Sequence, residues 1–232
     1  LLNQHLARYH FAKSYIQDKQ VLDFGCGEGF GSQVLLTETG TLTALDIDRI
    51  AVKATLKKII KNVVLADGRT APFKEKSFDI VVSFEVFEHI SDIHSYLKEV
   101  GRILRNGGKY IMSTPNIDYY PLAGLNPYHF KEYRVEEVYK SLADAGLEIE
   151  TIFAQVTADP LIEKIHSSKL LLIIMKFKRI LGLHRDLLPR FLQNVVHKII
   201  AHSKELKFNP NQYKFIENVT NSPELIYIAR KL

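Results

Sequence analysis

Residues 21–31, Val-Leu-Asp-Phe-Gly-Cys-Gly-Glu-Gly-Phe-Gly, run from strand-forming residues into alternate glycines and then into a helical pattern. Such a segment commits a chain early. The strand needs burial, and the glycines let backbone N–H groups approach a ligand at the opening of the following helix. Spacing narrows the ligand. A dinucleotide fingerprint, G-x-G-x-x-G, would place its third glycine at position 30, where this chain has Phe30. The glycines instead fall at 25, 27 and 29, with Asp23 ahead of them.

The alternation continues. β-rich runs at 41–45, 63–65, 78–84 and 109–113 are separated by helical patterns at 32–38, 49–61 and 93–104. Strands alternating with helices predict an α/β fold with a doubly wound, mostly parallel sheet. Asn106-Gly107-Gly108 marks a break after a helix, and a helix over 135–145 ends at Gly146 before a strand-like run at 147–156. A last strand follows at 224–231. The expected organisation is a core over 1–159, a helical insertion over 160–215 between the last two of seven strands, and a closing core strand within 216–232.

Composition excludes several classes. The 232 residues are 46% apolar and 25% charged, as in globular proteins. The single cysteine, Cys26, forbids an intrachain disulfide framework. No apolar run approaches the length of a membrane helix, and the first residues show no leader pattern, so a cytoplasmic location is expected, with peripheral contact at the inner face of the membrane. The net charge of +5 is uneven: residues 1–160 hold 18 Lys/Arg against 21 Asp/Glu, and residues 161–232 hold 13 against 5.

Acids stand at the next two strand ends. Asp46 follows TLTAL about twenty residues past the loop, where a carboxylate can accept from both hydroxyls of a ribose. Asp67-Gly68 follows VVLA, where a carboxylate could accept from an adenine amine. Acids facing an adenosine, with no P-loop lysine, disfavour a phosphorylated ligand.

These segments, VLDFGCGEGFGS, ALDID, ADG, FDIVVSFEVFEHI and LRNGGKYIMSTPN, resemble in order and spacing the motifs of class I S-adenosylmethionine (SAM)-dependent methyltransferases, over about residues 5–150. The resemblance implies a Rossmann-like methyltransferase fold with SAM as cofactor. It implies that the loop with Gly25, Cys26, Gly27 and Gly29, preceded by Asp23, holds the methionine part. Asp46 would bind the ribose, Ile47 would pack on the adenine, and Asp67 with Gly68 would meet its edge. Phe84 and Glu85 would lie beside the cofactor. His5, Arg8 and Tyr9 match an N-terminal helix that covers the cofactor's carboxylate in related enzymes. Cys26 would contribute mainly its backbone, since no histidine in the sequence is placed to activate its thiol.

Glu85, Glu88 and His89 follow the fourth strand, at the sheet edge where such folds bind ligands. His129, in NPYHF, would come over the same edge. Two roles are open for the histidines: His129, or His89 after it, as the base that takes a hydroxyl proton, or both as ligands with Glu85 and Glu88 of a divalent metal. FEVFEH is similar to a segment of ubiquinone-pathway O-methyltransferases, and E-x-x-E-H with a later His is similar to the metal site of small-RNA 2′-O-methyltransferases. Class I enzymes without metal also carry E-H there, with Glu85 facing the cofactor and His89 orienting a loop. Asp118, Tyr119 and Tyr120 would shape the acceptor pocket.

The segment 161–208 holds ten cations and three acids. It reads as solvated helix faces, as a surface for an anionic acceptor or membrane, or as an RNA track; the last lacks an RNA-binding module or an arginine-rich block. HLARYHFA with STPN and NPYHFKEYRVEEV resembles bacterial methyltransferases of surface-polysaccharide pathways. The expected function is methyl transfer, on oxygen, to a small-molecule or glycan acceptor, anionic or lipid-linked. The alternatives are a metal-dependent RNA 2′-O-methyltransferase and a non-catalytic SAM-binding scaffold.

Overall fold

A computed structural model of the chain describes residues 2–39, 41–58, 60–119, 128–157, 213–218, 220 and 222–232. Along the sequence lie α1 (Leu2–Ile16), β1 (Gln20–Phe24), α2 (Phe30–Leu36), β2 (Thr41–Asp46), α3 (Arg49–Leu56), β3 (Asn62–Leu65) and β4 (Phe78–Phe84). Then come α4 (Ile93–Ile103), β5 (Leu104–Pro115), α5 (Val135–Asp144), β6 (Leu147–Thr157), β7 (Tyr213–Glu217) and β8 (Glu224–Lys231). The strands form one sheet in the order β3-β2-β1-β4-β5-β8-β6-β7.

Side-chain alternation divides the core between the two faces of this sheet. Leu22, Phe24, Val81, Tyr110, Met112 and Tyr227 pack with Leu97, Val100 and Ile103 of α4 and Leu142 of α5. Val21, Ile80, Val82, Ile111, Ile226 and Ile228 pack with Tyr9, Ala12 and Ile16 of α1 and Leu35 of α2. Burial on both faces explains why these strands read as continuous apolar runs.

The order reverses between β1 and β4, which both pair in parallel with their neighbours, and their carboxyl ends open a crevice there. β8 is antiparallel to both β5 and β6. Its first residue, Glu224, is therefore delivered beside Pro115, at the edge where the parallel strands end. β6 runs with the parallel strands, so Thr157 and its partner Tyr213 also lie at that edge.

Among the described residues the sheet has eight strands where seven were expected. The addition is β7, five residues antiparallel to β6, which straddles the expected boundary at 215. Its burial pattern, mostly exposed, lacks the apolar run that reveals an inner strand. α3 stops at Leu56, short of the expected 61. Gly107 does adopt positive φ (74°), but inside the span of β5 rather than as a separate loop. The expected 160–215 insertion lies outside the described residues up to position 212.

Gly31, in the first turn of α2, faces Tyr9 so closely that a Cβ would sit 2.1 Å from the ring. Gly31→Ala must displace Tyr9 from α1, and we expect it to lower unfolding free energy by about 1–3 kcal/mol in urea titrations. An unchanged midpoint would show that α1 is not held there.

Candidate functional site

The loop after β1 is built by backbone conformations that side chains resist. Gly25, Gly27 and Gly29 have φ of 87°, 53° and 77°. A Cβ on Gly25 would lie 2.4 Å from Val86, so the loop approaches the end of β4 closely. β2 holds the other side: the N–H groups of Gly25 and Cys26 donate to the Leu45 carbonyl at 2.8 and 3.0 Å. The Asp46 carboxylate accepts from the N–H of Gly27 at 2.7 Å through Oδ2 and from that of Asp48 at 2.8 Å through Oδ1. Asp46 thus fixes the loop while facing the crevice.

Asp23 lies beneath the loop, wholly buried. It accepts from the Ser32 hydroxyl of α2 at 2.5 Å and the Tyr9 hydroxyl of α1 at 3.1 Å. Burial pushes its carboxyl up to about 6, against these hydrogen bonds. It supports the loop from below and does not line the cavity. Cys26 is buried with Ala44 and Ile60. Burial, then the charges of Asp23 and Asp46, push its thiol upward, which disfavours the thiolate that a nucleophile needs.

A cavity of about 410 Å³ opens above the loop, lined among others by Gly27, Asp46, Ile47, Asp67, Glu85 and His89. Ile47 is two-thirds exposed at its rim. Gly68 is tight on the aromatic floor: a Cβ there would meet Phe24 at 2.9 Å and Tyr96 at 3.1 Å. Arg69, another lining residue, was not foreseen. Its guanidinium donates to both Asp67 oxygens, with one contact of 2.6 Å, and holds that carboxyl below its usual range. The carboxylate expected to meet an adenine amine therefore already receives Arg69.

Several expected cofactor residues lie elsewhere. Phe84 points to the α1 face of the core, edge-on to Tyr9 at 5.0 Å between ring centres. Strand alternation sends it away from the crevice, and Glu85, at φ 57°, turns the chain into the crevice. Tyr9 is engaged with Asp23. Arg8 is buried among Gln155, Glu224 and Glu85: it donates to Gln155 Oε1 at 2.7 Å and pairs with the carboxylates at 3.7 and 3.6 Å. Burial would raise the Glu85 carboxyl, yet Arg8 and the Ser113 hydroxyl, 2.7 Å away, bring it below its usual range. Burial and the Glu85 charge raise Glu224 well above its own. Burial, then Arg8, push His5 down to about 4. Glu224 escaped the sequence reading because its only signal was to open the last strand, and strand direction alone brings it here.

Beyond Glu85, three of the four expected metal ligands converge. One ligand atom each of Glu88, His89 and His129 lies within 4.8 Å of the others. Glu85 is occupied by Arg8 and Ser113 instead. Glu88 is buried, accepts from Thr114 at 3.0 Å, and is pushed up to about 8 by burial and by the Glu85 charge. Its carbonyl receives the N–H groups of Phe130 and Lys131 at 2.8 and 3.2 Å, which bolts the His129 loop to the end of β4. His89 Nδ1 lies 2.7 Å from the Tyr128 carbonyl. A carbonyl only accepts, so Nδ1 carries a proton and Nε2 is the ring nitrogen left to face the crevice chemistry. The two imidazoles meet edge to face at 4.9 Å, and His129 Nδ1 is 3.3 Å from Glu132 Oε1.

Asp118, expected at the acceptor pocket, pairs with Arg134 and accepts the Val135 N–H at 3.3 Å, which caps α5. Tyr119 donates its N–H to the Asn116 carbonyl at 3.2 Å in the turn after β5. Tyr120 lies outside the described residues.

Residues 22–112 match the family described as "Methyltransferase domain". A Mycolicibacterium smegmatis protein named "Probable S-adenosylmethionine-dependent methyltransferase" is 36% identical over 137 residues, 57% of this chain and 53% of its own. A Mycobacterium tuberculosis protein named phthiotriol/phenolphthiotriol dimycocerosates methyltransferase is 31% identical over 131 residues, 53% of this chain and 44% of that one. The chain spans about half the length of the first of these relatives. Among solved structures, a SAM-dependent methyltransferase from Thermotoga maritima shares the fold with a TM-score of 0.66 at 14% identity, over 100% of this chain and 92% of that one.

The raised Asp23 carboxyl has a stability consequence whose sign is fixed. A group that binds its proton more tightly when folded stabilises the fold below its unfolded value, and this is lost as pH rises through its folded value. For Asp23 the window runs from about pH 4 to about 6. The unfolding free energy of Asp23→Asn, relative to the parent, should therefore improve by up to about 3 kcal/mol between pH 4 and 7. Urea titrations at several pH values test this; a constant difference would contradict it.

Proposed function

We propose, from the premise that this chain carries a class I SAM-dependent methyltransferase domain, that it transfers a methyl group to a hydroxyl of a small-molecule or glycan acceptor, lipid-linked in the favoured case. One observation carries the reading: the Asp46-latched glycine loop and the His89 imidazole border the same crevice. The donor set suits SAM. Asp46 would take the ribose hydroxyls, Ile47 and the Gly68 turn would enclose the adenine, and Gly25 to Gly29 would admit the methionine part. When bound, SAM supplies a methyl group already activated on a sulfonium. The protein's own tasks are then alignment and removal of one proton. His89 lines the crevice and His129 stands against it; either would take that proton, and His129 is the first candidate base.

The lipid-linked class is supported by the relative named for phthiotriol and phenolphthiotriol dimycocerosates. The basic segment within 160–215 would cap the acceptor side, since Thr157 and Tyr213 both stand at the carboxyl edge. Nucleic acid is not the acceptor in this reading, and the place of action is the cytoplasm or the inner membrane face.

Calorimetry tests the cofactor assignment. Asp46→Ala removes both the ribose acceptor and the latch on Gly27, and SAM affinity should fall at least about tenfold, the effect of losing one to two charge-assisted hydrogen bonds. Unaltered affinity would refute the assignment. SAM turnover screened against polyisoprenyl-linked glycans, quinone precursors and short RNAs tests the acceptor. With the active acceptor, His129→Ala should keep SAM affinity and lose about 10²–10⁴ in turnover, the usual share of a general base.

A second reading is favoured by the convergence of Glu88, His89 and His129. These three would hold a divalent cation, as the RNA 2′-O-methyltransferase alternative requires. Metal analysis of the purified protein decides it: an equimolar ion that EDTA removes together with activity supports the cation, and full turnover without metal eliminates it.

A further inference from the structure

Away from the crevice, α3 carries a surface that neither the cofactor nor the acceptor explains. Its inner side is buried through Ala51, Val52 and Thr55. Its outer side alternates large apolar side chains with cations. Ile50 is 78% exposed and Leu56 51%, with Ile47 just ahead of the helix at 67% and Phe30 of α2 at 45%. Between them stand Arg49, Lys53 and Lys57, all exposed, and Lys58 lies over the Phe30 ring at 4.1 Å from its centre. Residues 49–61 contain five Lys or Arg and no acid. None of the five makes an ion pair with a described residue, whereas all six other described arginines and four of the ten other described lysines do.

Each half of this pattern is costly to leave in water without a partner. Ile50 and Leu56, both exposed on α3 on either side of Lys53, with Phe30 beside Lys58, make more than the single scattered apolar residue normal for a surface. Like charges at helical spacing repel one another. A partner that is apolar inside and anionic at its surface satisfies both, and that is the chemistry of a lipid bilayer bearing acidic headgroups. A nucleic acid would meet the cations but leave Ile47, Ile50 and Leu56 exposed.

We propose that the outer side of α3, with Ile47 and Phe30, is the face by which this protein docks on an anionic membrane. Ile50 and Leu56 enter the headgroup region and the lysines pair with acidic lipids, while Ile47 stays at the cavity rim. Ile47 belongs to both this face and the cavity rim, so docking sets the mouth of the crevice at the bilayer surface. The inference stands apart from the assignment of base or metal.

The chain contains no tryptophan, so one can be introduced as a unique reporter. Ile50→Trp is mixed with vesicles of phosphatidylcholine alone, and with vesicles also containing phosphatidylglycerol. With the acidic vesicles the emission should shift to the blue and be quenched by brominated acyl chains. A Tyr139→Trp control on α5 should show neither change. Adding Lys53→Glu and Lys57→Glu should weaken vesicle binding about tenfold or more, since each cation near such a surface contributes about a factor of five. SAM affinity by calorimetry should remain intact in these variants and shows that they are folded; Lys53→Gln with Lys57→Gln replaces the charge reversal if they are not. Three outcomes overturn the proposal: no binding to acidic vesicles, binding while the Ile50→Trp reporter keeps its aqueous emission, or binding unaffected by the lysine changes. Capture of a labelled short RNA through the same lysines, with vesicles ignored, would also overturn it and assign the face to nucleic acid.

Discussion

A carboxylate without contact to solvent organises this molecule. Asp23 lies near the end of β1, the middle strand of the consecutive parallel run β3-β2-β1-β4-β5, and its two oxygens hold one hydroxyl from α1 and another from α2. The glycine loop must therefore leave β1 between two fixed helices, and Asp46 locks it from the other side. Desolvating an acid is expensive. The position is tolerable because both oxygens are satisfied, and the result is a loop whose course is fixed by contacts within the protein.

A second buried cluster closes the site. Arg8 gathers Glu85 from the end of β4, Gln155 from β6 and Glu224 from β8, so three strands and the first helix meet at one guanidinium. Three carboxylates, Glu85, Glu88 and Glu224, share this region with one arginine, and the acids divide the charge unequally: Glu85 is held ionised while Glu88 and Glu224 retain protons more readily. Environments that push neighbouring acids apart give a site both a fixed charge and proton-bearing groups. Of the three, Glu85 lines the crevice, and the two more readily protonated acids stand behind it.

What could be read from the sequence was local. The glycine spacing, Asp46 and the FEVFEH segment lie within a few residues of the structural event they report, and their strand-end positions are as expected. The misplaced residues failed by direction or by distance. Phe84 and Glu85 are adjacent, and alternation across β4 sends only the second to the crevice. Asp118 answers a helix end seventeen residues on. Gln155 reaches Arg8 across 147 residues, a separation that no motif spans. The surplus charge of residues 161–232 drew attention to the chain's second half, while α3, with the same alternation of cations and apolar residues, was concealed by an ordinary helical pattern.

The place of β8 also governs how the protein can be made. β8 inserts between β5 and β6, both of which precede it in the sequence. During translation β5 has a vacant edge, and β6 with β7 can form no more than a detached hairpin. Arg8 would then lack Glu224, and the sheet would remain in two parts. Joining of the described strands into one sheet and completion of the cluster at Arg8 thus both wait for β8. Until then, the nascent chain exposes the apolar flank of β5, and chaperones are expected to engage it there.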